Sequence, residues 1–342
     1  MKRLRVCGVG AGYFSQFHLR GWRGIPEAEL VGWCDPDAAK LEAFRPANAY
    51  ADAIEMLERE KPALLDIVTP PDTHLELVRA AAERGIPVIC QKALAPTLAE
   101  AAEIVEVAER AGITLAVHEN FRWQPWYREA KRLIDAGRLG ALHSVAFRMR
   151  PGDGQGPHAY LDRQPYFQQM PRFLVYETAI HWVDTYRYLM GEVETVYVAL
   201  RRINPAIAGE DAGTIVFGFE GGATGLYDGN RLNDHVAENL RRTMGEMWLE
   251  GSAGVLRLDG DARLWWKPHL QPETEHPYDP GPTDTFGGDA CGNLQRHVVR
   301  HLLDGAPLEN PGRSYLSNLR VQEAIYRSND EGRRIALREA RP

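Results

Sequence analysis

Three ionisable side chains stand where their neighbours could put them to acid–base work. The stretch "VYETAIHWVDTYRYLMG" sets Glu177 and His181 four residues apart, and Asp184 and Tyr188 continue the spacing. On a helix these four share one face, while Ala179, Trp182, Val183, Tyr186, Leu189 and Met190 form an apolar stripe on another. A carboxylate one turn before an imidazole can hold its tautomer or raise its basicity, as a general base requires. The same polar stripe equally suits a solvated surface. In "VICQKALAP", Lys92 directly follows an apolar run. Burial at a strand end would bring its ammonium down from ~10.4 toward the range useful for proton transfer; the alternative is a snorkelling surface lysine. Other chemistries find no foothold. His297 and His301 in "HVVRH" have the spacing of zinc ligands but lack the glutamate and a third ligand, so they read as an ordinary helix face and no metal is expected. No G-x-S-x-G or Walker A pattern is present.

A proton acceptor alone oxidises nothing, and the N-terminus supplies a candidate partner. "VCGVGAGYFSQFH" crowds glycines between an apolar strand and a helix. From Gly10, "GAGYFS" follows the dinucleotide-binding pattern G-x-G-x-x-G/A with Ser15 in the third place. Gly10 permits the tight turn and Gly12 lets the backbone approach a pyrophosphate, with Tyr13 and Phe14 beside them expected to bind the cofactor as well. An acid is expected about 20 residues on, and Asp35 in "VGWCDPD" answers it. A carboxylate there bonds the ribose diol and repels a 2′-phosphate, so NAD is expected rather than NADP. "VTPPDTHLELV" places Thr69 and Pro70 beyond the third long strand, beside the cofactor, with His74 in the next helical turn. For His74, capping or packing competes with a cofactor role.

The elements needed to hold these residues are legible in outline. From residue 3 to about 118, strands "LRVCGVG", "ELVGWC", "LLDIV", "IPVIC" and "ITLAV" alternate with helical stretches such as "TLAEAAEIVEVAERAG". Apolar runs with little alternation in a βαβ rhythm predict a doubly wound parallel sheet. After residue 122 the rhythm changes. A helix and a strand precede the long segment "PGDGQGPHAYLDRQPYFQQMPR", whose length and aromatics suggest function. The Glu177 helix follows, and then consecutive strands predict an open, mainly antiparallel sheet. Two domains are therefore expected, 1–122 and 123–342, in an α/β fold. The closing "EGRRIALREARP" reads as solvated surface. Composition agrees with a large folded core: 44% of the 342 residues are apolar and 25% charged. A net charge of −7 without any basic run argues against a nucleic-acid partner. No stretch suggests a membrane span or a signal peptide. Cys7, Cys34, Cys90 and Cys291 show no paired spacing, as suits free thiols in a cytoplasmic protein.

These motifs together resemble the Gfo/Idh/MocA oxidoreductases, over essentially the whole chain. "GAGYFSQFH" resembles that family's GxGxxGxxH, "TPPDTH" its [ST]-P-x-x-x-H, "CQKALA" its E-K-P and "ETAIH" its D-x-G-x-H. The resemblance implies an N-terminal Rossmann domain, a C-terminal α/β domain whose open sheet mediates homo-oligomerisation (dimer or tetramer), and NAD-dependent oxidation of a sugar or polyol. It implies Lys92, Glu177 and His181 as catalytic residues. It also places Gln91 and Asn120 beside the cofactor, and Asn120, Arg122 and Trp123 of "HENFRW" beside the substrate. Asp153, His158, Asp162 and Arg163 are further candidates for gripping hydroxyls, since a hydroxyl-matched pocket discriminates strongly. "HENFRWQPWYREAKRLID" and "RMRPGDGQGPHAYLDRQPYF" look most like the members that oxidise a branched aldose to its lactone. Three departures stand out: Gln91 for Glu, Ala93 for a proline whose preceding bond is often cis, and Glu177 for Asp. Without the proline, a trans Lys92–Ala93 bond is expected. An NAD-retaining glycoside hydrolase and a catalytically silent NAD or sugar sensor are the alternative readings.

Overall fold

The strand at Leu4–Val9 (β1) is buried almost throughout, and the chain winds outward from it. In this computed structural model, which describes residues 3–44 and 46–340, the chain divides into two units. One comprises Met1–Asn120 with Asp289–Ser317, the other Phe121–Gly288 with Asn318–Pro342.

In the first unit β1 is followed by α1 (Ser15–Arg23), β2 (Ala28–Cys34), α2 (Ala38–Phe44), β3 (Ala49–Tyr50) and α3 (Ala53–Glu60). Then come β4 (Leu64–Ile67), α4 (His74–Ala82), β5 (Val88–Gln91), α5 (Leu98–Arg110) and β6 (Leu115–His118). The sheet order is β3-β2-β1-β4-β5-β6, and every neighbouring pair is parallel. Order reverses between β1 and β4, which is the switch point where such sheets bind ligands beyond their carboxyl ends. The helices start where their sequences cap them. Asp52 accepts from Glu55 N at the start of α3, and on α5 Thr97 Oγ1 accepts from Glu100 N while donating to Glu100 Oε2.

The second unit begins with α6 (Pro125–Asp135), β7 (Leu142–Met149) and α7 (Ile180–Met190). It continues through β8 (Val193–Arg201), β9 (Ala212–Phe219), β10 (Thr224–Asn230), β11 (Gly245–Gly251), β12 (Gly254–Leu258), β13 (Leu264–Pro268) and β14 (Thr274–His276). After α8 (Ala290–Asp304) and α9 (Gly312–Glu331), β15 (Ile335–Ala336) completes a nine-stranded sheet, β14-β13-β12-β11-β7-β10-β9-β8-β15. It is antiparallel except where β10 lies parallel to β7. Trp182 of α7 packs on Phe147 and Tyr227 of the sheet, with ring centroids 4.4 and 5.4 Å apart, so one face of the sheet is closed by this helix. The long segment between β7 and α7 is ordered around a small core of its own: Ala159, Tyr160, Phe167, Phe173 and Ile207.

In its domain and strand layout the structure departs from the sequence expectations in three places. The expected second domain, 123–342, is interrupted: α8 belongs with the first unit because it packs on α1. Small residues allow that approach, a Cβ on Gly21 falling 3.0 Å from the Gly292 Cα. The short strands β3, β13, β14 and β15 were not expected. In "EGRRIALREARP", read as solvated, Ile335 is fully buried and pairs with Val196 of β8; Arg341 and Pro342 lie outside the described residues.

Candidate active site

The bend after β1 is shaped for a phosphate. Gly10 has φ +100°, and a Cβ there would stand 2.6 Å from the Val68 carbonyl oxygen, so no other residue fits without displacing backbone. Its own backbone is held on both sides: Gly10 N donates to Cys34 O (2.7 Å), and Trp33 Nε1 donates to Gly10 O (2.8 Å). A Cβ on Gly12 would meet nothing within 4 Å, which leaves room for a ligand to reach the backbone. No side chain caps the N-terminus of α1 and its first turn carries no acid, so its field is free to act on an anion. Ser15 is fully buried in the third glycine place. Ala11, Gly12 and Tyr13 border an open pocket of about 730 Å³ with Gln16, Arg20 and Arg23.

Asp35 closes the bend. Its Oδ2 accepts from Ala11 N (2.7 Å) and its Oδ1 from Asp37 N (2.9 Å). Each carboxylate oxygen keeps a second lone pair for a ribose hydroxyl. Thr69 stands against Gly10, its methyl 3.0 Å from where a Gly10 Cβ would be, with Pro70 exposed beside it. Tyr13 and Phe14 are half-buried, packed edge-on against Phe17 and tilted against it respectively. These residues fit a dinucleotide: a glycine bend without side chains, an uncapped helix and an acid at the ribose position.

Two residues expected at the cofactor face elsewhere. His74 is fully buried between two carbonyl oxygens, Leu94 O at Nδ1 and Thr69 O at Nε2, both at 2.9 Å. It ties the loop after β4 to the segment after β5, and burial holds its imidazole below the usual range. Gln91 turns into the interior, where its Nε2 lies 3.0 Å from His18 Nε2 and its Oε1 accepts from Lys92 N at 2.7 Å. Lys92 itself is half-buried at the end of β5. The Lys92–Ala93 peptide is cis, against the trans bond expected from the missing proline. Asn120 is buried, with Nδ2 donating to Cys291 Sγ (3.4 Å) and Oδ1 without a partner among the described residues.

In the second unit, Leu174–Ala179 forms a wide π-helical turn leading into α7. Such turns recur at functional sites, and this one carries Glu177 half-buried on its surface. His181 opens α7, buried, with its ring stacked on Phe121 at 3.9 Å and 4°. The stripe is thus no solvated face, but neither is it uniform. Asp184 is buried and takes Arg122 bidentately, with Nε and Nη2 both at 2.6 Å, and accepts from Asn318 Nδ2 at 2.7 Å. Arg122 therefore corrects an expectation: its fork is committed to a buried ion pair rather than to substrate. Trp123 is buried under the Arg128 guanidinium (4.4 Å).

Asp153 and Arg163 are likewise braces rather than free hydroxyl-grippers. Asp153 Oδ2 accepts from Arg163 Nη2 (3.1 Å) and from Arg231 Nη2 (2.7 Å). The two arginines hold the Asp153 carboxyl below the usual range despite its burial. Arg231, which sequence reading missed, also donates to Tyr160 Oη (2.9 Å) and to Thr178 Oγ1 (2.6 Å), one residue from Glu177. Only a partner 78 positions away identifies its role. His158 and Asp162 are exposed. His297 Nε2 accepts from Glu309 N while His301 Nδ1 meets Ala306 O, so the pair serves two separate backbone contacts.

Residues 4–119 match the oxidoreductase family described as an NAD-binding Rossmann fold, and residues 127–257 match the GFO/IDH/MocA C-terminal domain. The chain is 36% identical to the D-apiose dehydrogenase of Paraburkholderia graminis, over 99% of this chain and 91% of that protein. It belongs to the Gfo/Idh/MocA oxidoreductase family. A second member, the D-apiose dehydrogenase of Rhizobium rhizogenes, is 28% identical over 98% of both chains. Among solved structures, an Agrobacterium radiobacter oxidoreductase in complex with NAD+, L-tartaric acid and magnesium superimposes with a TM-score of 0.89, at 27% identity over 99% of each chain. Like its family, this oxidoreductase uses NAD. If Arg122 serves the interior of the second unit, Arg122→Met should strand the Asp184 carboxylate and cost about 3–5 kcal/mol of stability. A lowered thermal midpoint is the expected result; an unchanged midpoint with a raised KM would return Arg122 to the substrate.

Proposed function

We propose that this dehydrogenase oxidises a carbinol carbon of a sugar, with D-apiose to its lactone as the reaction. The relationship to the Paraburkholderia D-apiose dehydrogenase, which runs almost the full length of both chains, is the observation that carries the substrate. NAD supplies the redox chemistry by accepting hydride; the chain supplies binding, orientation and a proton acceptor. Gly10, Gly12, Tyr13 and Phe14 take the diphosphate, and Asp35 takes the adenosine ribose through its remaining lone pairs. Thr69, Pro70 and Asn120 flank the nicotinamide end. His181 or Lys92 removes the hydroxyl proton. The flat stack on Phe121 favours His181 as base, since it fixes the imidazole plane before substrate arrives. Glu177, on the π turn before it, supplies the accompanying carboxylate. His158 and Asp162 are the exposed side chains left to meet sugar hydroxyls.

The protein is further proposed to be a cytoplasmic homo-oligomer. The four cysteines are free and buried, as suits a reducing compartment, and no described helix is long and apolar enough to cross a membrane. On the open face of the nine-stranded sheet, Tyr197, Val216 and Leu226 pair in register across β8, β9 and β10. They are 48%, 37% and 40% exposed. An apolar row across the centre of a sheet is a contact surface by its chemistry, and a second copy is its occupant. Light scattering should return a multiple of the protomer mass, with Val216→Asp shifting it toward one protomer. A monomeric wild type would contradict this.

A panel of aldoses and polyols with NAD or NADP, followed by absorbance of the reduced nicotinamide, tests the activity. D-apiose with NAD should turn over fastest. His181→Ala should lose about 10²–10⁴-fold in kcat while NAD affinity changes little. Unimpaired turnover in that variant would remove His181 from the mechanism, and bound NAD without turnover on any sugar would overturn the dehydrogenase reading.

A further inference from the structure

Beneath Lys92 the first unit buries a chain of polar groups that the proposed reaction does not use. Asp66 on β4, His18 on α1 and Gln91 on β5 are each less than a tenth exposed, the first two completely buried. The links are Asp66 Oδ2 to His18 Nδ1 (2.8 Å), His18 Nε2 to Gln91 Nε2 (3.0 Å), and Gln91 Oε1 to Lys92 N (2.7 Å). Their protons can be placed by donor and acceptor logic. Lys92 N can only donate, so the Gln91 oxygen faces it and the Gln91 NH2 faces His18. An NH2 can only donate, so His18 Nε2 accepts and its proton sits on Nδ1, donated to Asp66. Trp22 Nε1 donates to the same Asp66 oxygen (2.6 Å), and Gln295 Nε2 approaches it at 3.4 Å. Every group that meets this oxygen is one that can donate to it.

The surroundings keep the chain in that state. The His118 ring of β6 lies against His18, with ring centroids 3.9 Å apart and planes tilted by 31°. Cys90 of β5 and Cys291 of α8 lie within the field of Asp66, but burial holds both thiols well above their usual range, so they add no charge. The Phe14 ring edge is apolar cover at 5.8 Å. A carboxamide at position 91 cannot carry a proton away from His18.

We propose that Asp66, His18 and Gln91 are positioning residues for Lys92: the chain anchors the Lys92 backbone at the end of β5 and holds His18 as the neutral Nδ1–H tautomer. This rests on the reading that Lys92 acts on the substrate. Gln91 acts through the Lys92 amide and is not itself a catalytic residue.

Nitrogen-15 NMR of histidine-labelled enzyme, with and without NAD, reads the tautomer without any turnover. His18, assigned by its loss in His18→Gln, should show a pyrrole-like Nδ1 and a pyridine-like Nε2 at neutral pH. A proton on Nε2 would overturn the proposal, because the Gln91 amide would then point the other way. Kinetics read the consequence. Gln91→Ala should lower kcat about 10- to 100-fold through misplacement of Lys92, with little change in NAD affinity. Gln91→Glu should recover most of that loss, since a carboxylate oxygen still accepts from Lys92 N, while its His18 nitrogens both become protonated. If Gln91→Ala fails to fold, Gln91→Glu and the wild-type spectrum still decide. Full kcat in Gln91→Ala, or an unprotonated His18 Nε2 in Gln91→Glu, would contradict the chain. If the wild type oxidises no sugar, the reading of Lys92 falls with the role assigned here, whereas the spectrum reports separately on whether the links exist.

Discussion

A diphosphate brings concentrated negative charge, and something in the protein must meet it. In the proposed site the task falls to backbone N–H groups at the start of α1, where helical geometry leaves donors without intrahelical partners. That choice constrains everything near it. The bend must come close to the ligand, so Gly12 carries no side chain into open space. It must also turn sharply against β4, so Gly10 adopts a positive φ with the Val68 carbonyl in the way of any Cβ. Asp35 fixes the bend through Ala11 N, and in the proposed site its spare lone pairs meet the ribose.

Rigidity elsewhere comes from satisfying buried polar groups in pairs. Arg122 and Asp184 neutralise each other in the interior of the second unit. Arg231, Asp153 and Arg163 brace the segment between β7 and α7, which would otherwise be a long loop without fixed shape. A buried ion pair adds little net stability over an apolar replacement, yet removing one partner is costly. The pairs therefore hold the segment bearing His158 and Asp162 chiefly through the cost of breaking them. The Asp66–His18–Gln91 chain obeys the same logic below Lys92, with neutral links in place of a second charge.

What could be read from the sequence alone follows the range of the interaction. The glycine bend, Asp35 and the βαβ rhythm depend on spacing within a few tens of residues, and the alternation of the β8–β12 strands is local. Pairings across long separations left no such signal. Gln91 meets His18 from 73 positions away, Arg122 meets Asp184 from 62 and Asp153 meets Arg231 from 78, so these expected contacts to cofactor or substrate are internal. β15 has only two residues, too few to show a period. The π turn at Glu177 was hidden because a widened turn and an α-turn share the same composition; the helical spacing of Glu177 and His181 was expected to begin one element too early.

The claim that carries the account is that the β1–α1 bend and Asp35 together select NAD. Calorimetric titration of NAD and NADP into the wild type and into Asp35→Asn measures it directly. Strong heat with NAD, weak binding of NADP, and a narrowed preference in Asp35→Asn are the expected results. Absence of NAD binding, or NADP bound as tightly as NAD by the wild type, would contradict it.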